Sequence, residues 1–453
     1  MIGTRRRSWS TSGPGTGDSV GTAVLGAGPA GLTAAHMLAL RRRPGVIYEA
    51  DGAVGGLAKT LRRGPYRFDL GGQVFGTSLA PVQRLWDSVL GDELISRPRS
   101  AKVYCRGRYL AYPPNARDLV APLWVSGSQA QALRAVQELE RYTAQKSRFD
   151  KVNLRHGRGT TLCESCQYPR LGPGQMWDAL RDRVVRSGIS VRLNHRCVGL
   201  LHSNGRIDRV VLRSHGNHLE SRVDGVLSSL PLSVLVSCLQ PRPPTEVLEA
   251  ATALRHRSIR VVALMTDEPE PFPDNWIYVH DAEARVTRVQ NFGAWSKAMV
   301  ERDSTCLGVE FACTCGGEIW KMDDVDAVEL AKHELARIGL IDPARVFDAA
   351  SVSVERAYPI ADARYREDTM LIRDYLKGFQ NLETFGRNGL HRDNTQDHSV
   401  WSAMLATGNL LDGSTHDLWD LDGGAVEIEP DTQDQSLPGN APIAAEAAAR
   451  WAG

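Results

Sequence analysis

The sequence predicts an α/β protein, in which a Rossmann-like dinucleotide-binding domain carries an interleaved mixed-sheet substrate domain. Two observations make this prediction. A glycine fingerprint, Gly26-Ala27-Gly28-Pro29-Ala30-Gly31, joins a short apolar strand-like run to an Ala/Leu-rich helical run, and a second apolar run ends on the acid Glu49. Downstream, four strand-like runs follow residue 255 and supply a second sheet. The chain has 453 residues, too many for one simple core, so two intertwined domains are expected.

Each element has a local reason. Residues 1–19 are polar, and Arg5-Arg6-Arg7 is followed by Ser, Gly and Pro with no apolar core, so a disordered tail is expected rather than an export signal. In the βαβ unit that begins near residue 20, Gly26 permits the tight turn. Gly28 lets a pyrophosphate approach the backbone, and Gly31 lets helix and strand pack closely. Free N–H groups and the positive dipole end of the helix face the phosphates, and Glu49 is placed to accept from a ribose hydroxyl. An amphipathic helix is expected over 81–90 and a hairpin over 102–110, leading to Tyr112-Pro113-Pro114. Residues 115–160 are polar, basic and helix-prone, with 129–142 the only sustained periodic stretch.

A turn at 168–174 opens a helix over 175–186, followed by a strand over 190–193. Two strands, 196–202 and 207–213, meet through Asn204-Gly205, a strong hairpin signal, and 223–230 has the character of a buried strand. The four later runs are 259–266, 275–280, 286–292 and 305–313. Helices over 325–338 and 367–376 and a strand over 382–385 lead into Gly386-Arg387-Asn388-Gly389. A closing helix starts near Gln396-Asp397-His398-Ser399, and an acidic then Ala-rich stretch beyond 420 reads as a solvated tail.

Glu49 opens a Glu-x5-Gly-Gly pattern completed by Gly55 and Gly56, which continues through Lys59-Thr60 to Phe68-Asp69-Leu70-Gly71-Gly72. This run resembles the FAD-binding head of the amine oxidase superfamily, which includes protoporphyrinogen oxidase and UDP-galactopyranose mutase. The resemblance implies FAD as cofactor, held along Gly26, Gly28, Pro29, Ala30 and Gly31, then Glu49 and Ala50, then Gly55, Gly56, Leu57 and Lys59, and finally Gly71, Gly72 and Gln73. It also implies three FAD-domain segments, at 20–112, 166–242 and 379–420, around a shortened helical insertion at 113–165 and a substrate domain at 243–378, with 421–453 as tail.

Three further stretches look most like UDP-galactopyranose mutase-like sequences: Tyr-Pro-Pro at 112–114, the run from Arg288 to Ser296, and the run from Gly386 to Arg392 with Gln396 to Ser399. In that branch two arginines grip the substrate diphosphate. Carried over, they fall on Arg288 and Arg392, whose planar forks suit phosphate oxygens. Gly386-Arg387 and Thr395-Gln396 correspond to the loop and helix start that meet the flavin. Two departures stand out. Gln73 replaces the usual His after Gly71-Gly72, and a Gln does not titrate near neutral pH. The Tyr-x-x-Lys-Val-Trp block of mutases is missing, with Arg141-Tyr142-Thr143-Ala144-Gln145-Lys146 at most a remnant. His398 is open to two readings, a flavin-side acid/base or a capping histidine, and so is His391.

Composition narrows the partners. Lys+Arg number 54 against 53 Asp+Glu, a formal +1, so no bulk field favours nucleic acid or an anionic membrane. No apolar run approaches the ~20 residues that span a bilayer, and the chain reads as cytoplasmic. Eight cysteines do not suggest a disulfide framework. Cys163-x2-Cys166 and Cys313-x-Cys315 look like zinc half-sites but lack His at finger spacing, so no metal is expected. The expected activity is an FAD-dependent oxidoreductase acting on a sugar or other phosphate-bearing small molecule. The alternatives are a nucleotide-sugar pyranose/furanose mutase that uses reduced FAD, with a nucleotide sugar as substrate, and a flavin-binding subunit without chemistry. The oligomeric state is not legible.

Overall fold

The computed structural model describes residues 19–112 and 165–421, apart from 106 and 282. The expected tails, the insertion with its periodic stretch at 129–142, the prolines at 113–114, the remnant at 141–146 and Cys163 lie outside the described residues.

A five-stranded parallel sheet carries the fingerprint. Its spatial order is Leu382–Thr384, Gly225–Ser228, Thr22–Leu25, Gly45–Tyr48 and Ser190–Arg192. The three inner strands are short and wholly buried because both faces are covered, and their side chains alternate between two cores. Val24, Ile47 and Leu227 face a layer that includes helices Pro29–Leu40, Gly174–Arg186 and Gln396–Asp412. Ala23, Leu25, Val46 and Val226 face the opposite layer. That second layer contains helices Leu232–Cys238 and Thr245–Ala253 and a four-stranded sheet. In this sheet Arg196–Ser203 and Arg206–Ser214 pair antiparallel around Asn204 and Gly205, both with positive φ, as the Asn-Gly signal requires.

The second domain centres on a seven-stranded mixed sheet. Its order is Val346–Pro359, His256–Thr266, Thr305–Cys313, Arg288–Asn291, Trp276–Val279, Ala101–Cys105 and Arg108–Ala111. The four expected runs are its central strands. Strand Ala101–Cys105 of the hairpin, expected within the first nucleotide-binding segment, pairs parallel to Trp276–Val279, so the hairpin extends this sheet. Helix Asp324–Arg337 covers one face with Ala327, Leu330, Ala331 and Leu335, a spacing that makes one apolar stripe. Its N-cap, Asp323, accepts from the Asp326 N–H at 2.8 Å. Buried Arg260 ties the sheet to the start of that helix, donating to Asp324 at 2.6 Å and to Ser351 at 2.8 Å.

Candidate FAD site and substrate face

The fingerprint turn lies at the carboxyl end of the central strand, where open parallel sheets bind ligands. Gly26 has φ +98° and donates to the Tyr48 carbonyl at 2.9 Å. A Cβ on Gly31 would lie 1.9 Å from the Gly26 oxygen, so helix and strand approach as closely as backbone permits. Gly28 is the N-cap of the helix and Pro29 occupies its first turn. The second glycine pair closes on this turn. Gly55 donates to the Ala27 carbonyl at 2.8 Å, and a Cβ on Gly56 would come within 3.1 Å of the Gly28 Cα. Gly386, with φ +80°, meets Ala30, since a Cβ there would fall 2.9 Å from the Ala30 methyl. The first, second and last glycine motifs therefore converge on one helix N-terminus.

Glu49 ends the second strand with Oε2 accepting from Ala27 N–H at 2.6 Å and Oε1 from Asp51 N–H at 2.8 Å. It lines a cleft of about 360 Å³ with Gly56, Leu57, Lys59 and the strand segment 352–355. Half-buried Ala50 follows it. Lys59 is held by Asp51 in a close ion pair. Burial pushes the Asp51 carboxyl up, but the Lys59 ammonium outweighs it and leaves the group below its usual range.

Gln73 donates through Nε2 to the Leu57 carbonyl at 3.4 Å, which sets it against the Gly55-Gly56-Leu57 turn. At the start of the closing helix, Gln396 accepts from Trp177 Nε1 at 3.0 Å, and its own Nε2 is buried with no hydrogen-bond partner among the described residues. Arg387 Nε is likewise buried and unpartnered. Buried donors are normally satisfied, so both fit a site in which a bound group supplies acceptors. With the convergent glycines and Glu49, the residues present fit FAD. His398 is a local partner of the same helix start, with Nδ1 2.9 Å from Thr395 Oγ1 and 3.3 Å from Asp397 Oδ1. Burial raises Asp397, while hydrogen bonds and charge from His398, Thr395 and Thr77 together hold it below its ordinary value.

Arg288 sits on the seven-stranded sheet against Gly71-Gly72. A Cβ on Gly72 would lie 2.7 Å from Arg288 Nη1. Its cross-strand partner is Glu310, which accepts from Nε at 3.0 Å and from Nη2 at 2.7 Å. Gln290 Nε2 donates to the same carboxylate at 2.7 Å. Against burial, which favours a neutral guanidine, the Glu310 charge holds Arg288 protonated well above the usual range. Arg288 Nη2 also donates to the Tyr358 hydroxyl at 3.2 Å, and the Arg387 guanidinium lies 4.8 Å over the Tyr358 ring.

Arg392 is buried, and one of its contacts is a hydrogen bond to the Trp419 carbonyl at 3.3 Å. Between Arg387 and Arg392 the chain makes one helical turn, Gly386–Gly389, and His391 then takes φ +48°. His391 is buried edge-on to His256 with ring centroids 4.5 Å apart, and burial lowers its pKa to about 4. It is therefore a neutral core histidine at neutral pH.

Three residues escaped the sequence reading. Glu310 was legible in principle, as the only charge in the apolar run Thr305–Cys313. Tyr358 gave no signal. Asp69 belongs to the Phe-Asp-x-Gly-Gly run and is fully buried, accepting from Thr60 Oγ1 at 2.7 Å and from the Tyr168 hydroxyl in a short hydrogen bond. Burial pushes its pKa up to about 7, although both hydrogen bonds oppose the rise. Among the described residues no group of three His, Cys, Asp or Glu side chains could hold a metal, and no helix is long and apolar enough to cross a membrane.

A parallel-sheet glycine fingerprint, a second glycine pair and a mixed substrate sheet define the class, an FAD-binding flavoprotein with an oxidoreductase fold. The comparisons agree. Residues 24–89 match a family of NAD(P)-binding Rossmann-like domains, and residues 131–358 match the flavin containing amine oxidoreductase model. The chain belongs to this flavin-containing amine oxidoreductase family, and FAD is its cofactor. Among solved structures it is similar to a reduced UDP-galactopyranose mutase, with TM-score 0.72 and 16% identity over 90% of this chain and 97% of that one. An oxidoreductase from Methanosarcina mazei gives TM-score 0.60 and 14% identity over 85% and 99%. Wild-type putrescine oxidase bound to putrescine gives TM-score 0.55 and 14% identity over 86% and 99%. At these identities the likeness is one of fold. No curated protein sequence matches the chain.

Proposed function

We propose that this protein is an FAD-dependent oxidoreductase acting on a small polar molecule, with sugars and sugar phosphates as the substrates to try first. One observation supports this over a nucleotide-sugar mutase: the fork of Arg288 is taken up by Glu310 and Tyr358 rather than left open for a diphosphate. A diphosphate carries at least two negative charges and is best held by two guanidinium forks closing on it. Here Arg288 lies against the Gly71-Gly72 turn with its fork paired to a carboxylate.

Bound FAD supplies a two-electron acceptor for hydride leaving a substrate carbon. The chain's part in this reading is binding and orientation. Gly28, Gly56 and the helix N-terminus receive the pyrophosphate, and Glu49 receives the ribose. Gln396 and Arg387 offer donors to the ring, where hydrogen bonds to developing negative charge favour the reduced form. Gln73 can orient a group by hydrogen bonding but moves no proton near neutral pH. The reducing cytoplasm is the proposed location, in keeping with eight cysteines and no disulfide framework in the sequence.

The test is anaerobic mixing of oxidised holoprotein with a panel of sugars and sugar phosphates. Loss of the oxidised-flavin absorbance with at least one of them, together with an oxidised product, is expected. The reading fails if none bleaches the flavin while dithionite-reduced protein interconverts the ring forms of UDP-galactose.

A further inference from the structure

We propose that Glu310 is a specificity-determining residue: by occupying the fork of Arg288 it makes the substrate face accept a neutral or singly charged group and turn away a diphosphate. This rests on the oxidoreductase reading above and narrows its substrates to neutral or singly charged molecules, sugars ahead of sugar phosphates, whose monoester groups are close to dianions at neutral pH.

Arg288 has five N–H groups. The Nε donor and one from Nη2 go to the two Glu310 oxygens at 3.0 and 2.7 Å, and Nη2 also reaches the Tyr358 hydroxyl at 3.2 Å. Only Nη1 is left, and it is the atom that crosses Gly72, where a Cβ would stand 2.7 Å away. Nη1 has no hydrogen-bond partner among the described residues, yet it is not sealed off as a buried orphan. It is the one donor end that Arg288 presents along the Gly71-Gly72 turn.

Charge follows the same pattern. The Arg288 and Glu310 side chains are 15% and 4% exposed, so the pair acts as a neutral unit in a poorly screened setting. Gln290, itself buried, fixes the carboxylate from a third side at 2.7 Å and leaves it no other role. The neighbouring Arg387 is matched in turn by Asp393 at 2.5 Å. Two guanidiniums flank Tyr358, and the patch still sums to zero. A dianion brought here would lose its hydration without meeting net positive charge. A single hydroxyl, carbonyl or carboxylate oxygen matches what Nη1 offers.

Removing the Glu310 charge should invert this preference. Glu310→Gln keeps the side-chain shape and an acceptor oxygen for Arg288 while leaving the guanidinium uncompensated. Calorimetric titration of holoprotein with inorganic pyrophosphate at low salt is the readout. Wild type is expected to show no saturable binding. Glu310→Gln is expected to bind at least ~10-fold more tightly, and the gain should vanish in the Glu310→Gln/Arg288→Ala double variant and weaken with added salt. The proposal is overturned if Glu310→Gln gains nothing, or if its gain survives loss of Arg288. The wild-type arm stands even if Glu310→Gln loses FAD, because saturable pyrophosphate binding by wild type that Arg288→Ala abolishes also overturns it. Sugar-driven bleaching combined with tight wild-type pyrophosphate binding would refute the role of Glu310 alone. Ring interconversion without such binding would refute the oxidoreductase reading alone.

Discussion

Replacing Asp69 with Asn should change how stability depends on pH, and the size of the change follows from the site. Asp69 is buried with two hydroxyl donors and no cation against it, and its pKa rises from 3.8 to about 7 because burial outweighs both hydrogen bonds. Below about pH 4 the carboxyl is protonated in folded and unfolded chains alike. Between there and about 7 the folded protein keeps a proton that the unfolded chain has released, so stability falls as pH rises, and above about 7 the loss is complete. Each pH unit in this window is worth ~1.4 kcal/mol, or about 4 kcal/mol across the whole window. Asn is neutral throughout and can keep most of the geometry. Its oxygen can accept from Thr60, its amide can donate to Tyr168, and the Tyr168 hydroxyl can turn to Met299 Sδ, which lies 3.4 Å away. Denaturant titrations of both proteins at pH 5 and pH 8 measure the effect. Asp69→Asn should gain on wild type by roughly 3 kcal/mol between the two conditions. A difference that stays flat with pH would mean that Asp69 is ionised in the fold at both conditions, and the reasoning would be wrong.

Other changes test other parts of the structure. Gly31→Ala puts a methyl 1.9 Å from the Gly26 oxygen, so the helix must move off the strand; the variant should purify without FAD and melt at lower temperature, as read by flavin absorbance and calorimetry. Glu49→Ala removes the acceptor of the Ala27 and Asp51 N–H groups as well as the proposed ribose partner, and should weaken FAD retention on dialysis at least ~10-fold, since hydrogen bonds to a charged group are each worth about 1.5–3 kcal/mol. Asp323→Ala removes a helix cap far from the FAD site and should cost about 1 kcal/mol in denaturant titration with flavin content unchanged.

What the sequence revealed and what it hid divide along physical lines. The fingerprint, the second glycine pair and Asn204-Gly205 are read correctly because a positive φ or a close approach at these positions depends on neighbours in sequence. The strand Val346–Pro359 was missed because it is an edge strand whose side chains alternate poorly, with Asp348, Glu355 and Arg356 inside it. That the hairpin at 101–111 joins the substrate sheet depends on pairing with residues more than 160 positions away, which no local pattern encodes. The arginine pairing turned on a smaller matter. Arg387 lies over the Tyr358 ring and Arg392 reaches the Trp419 carbonyl after a left-handed His391, and periodicity does not anticipate a single left-handed residue.

The order of strands in the parallel sheet has a consequence for how the protein is made. The fingerprint strand lies between Gly45–Tyr48 and Gly225–Ser228, and the outer strand beyond the latter comes from Leu382–Thr384. A nascent chain can form the first βαβ unit early, but the edge of Gly225–Ser228 has no partner until residue 384 has left the ribosome. At translation rates of roughly 5–20 residues per second that delay is on the order of 10–30 s after Gly225–Ser228 emerges. Helix Gln396–Asp412, which covers the fingerprint helix and bears Gln396, arrives later still. During this interval an apolar strand edge and an uncovered helix face are open to other chains. Cofactor capture is therefore expected to be a late, post-translational event, and slower elongation or lower growth temperature to favour soluble, flavin-loaded protein over aggregate.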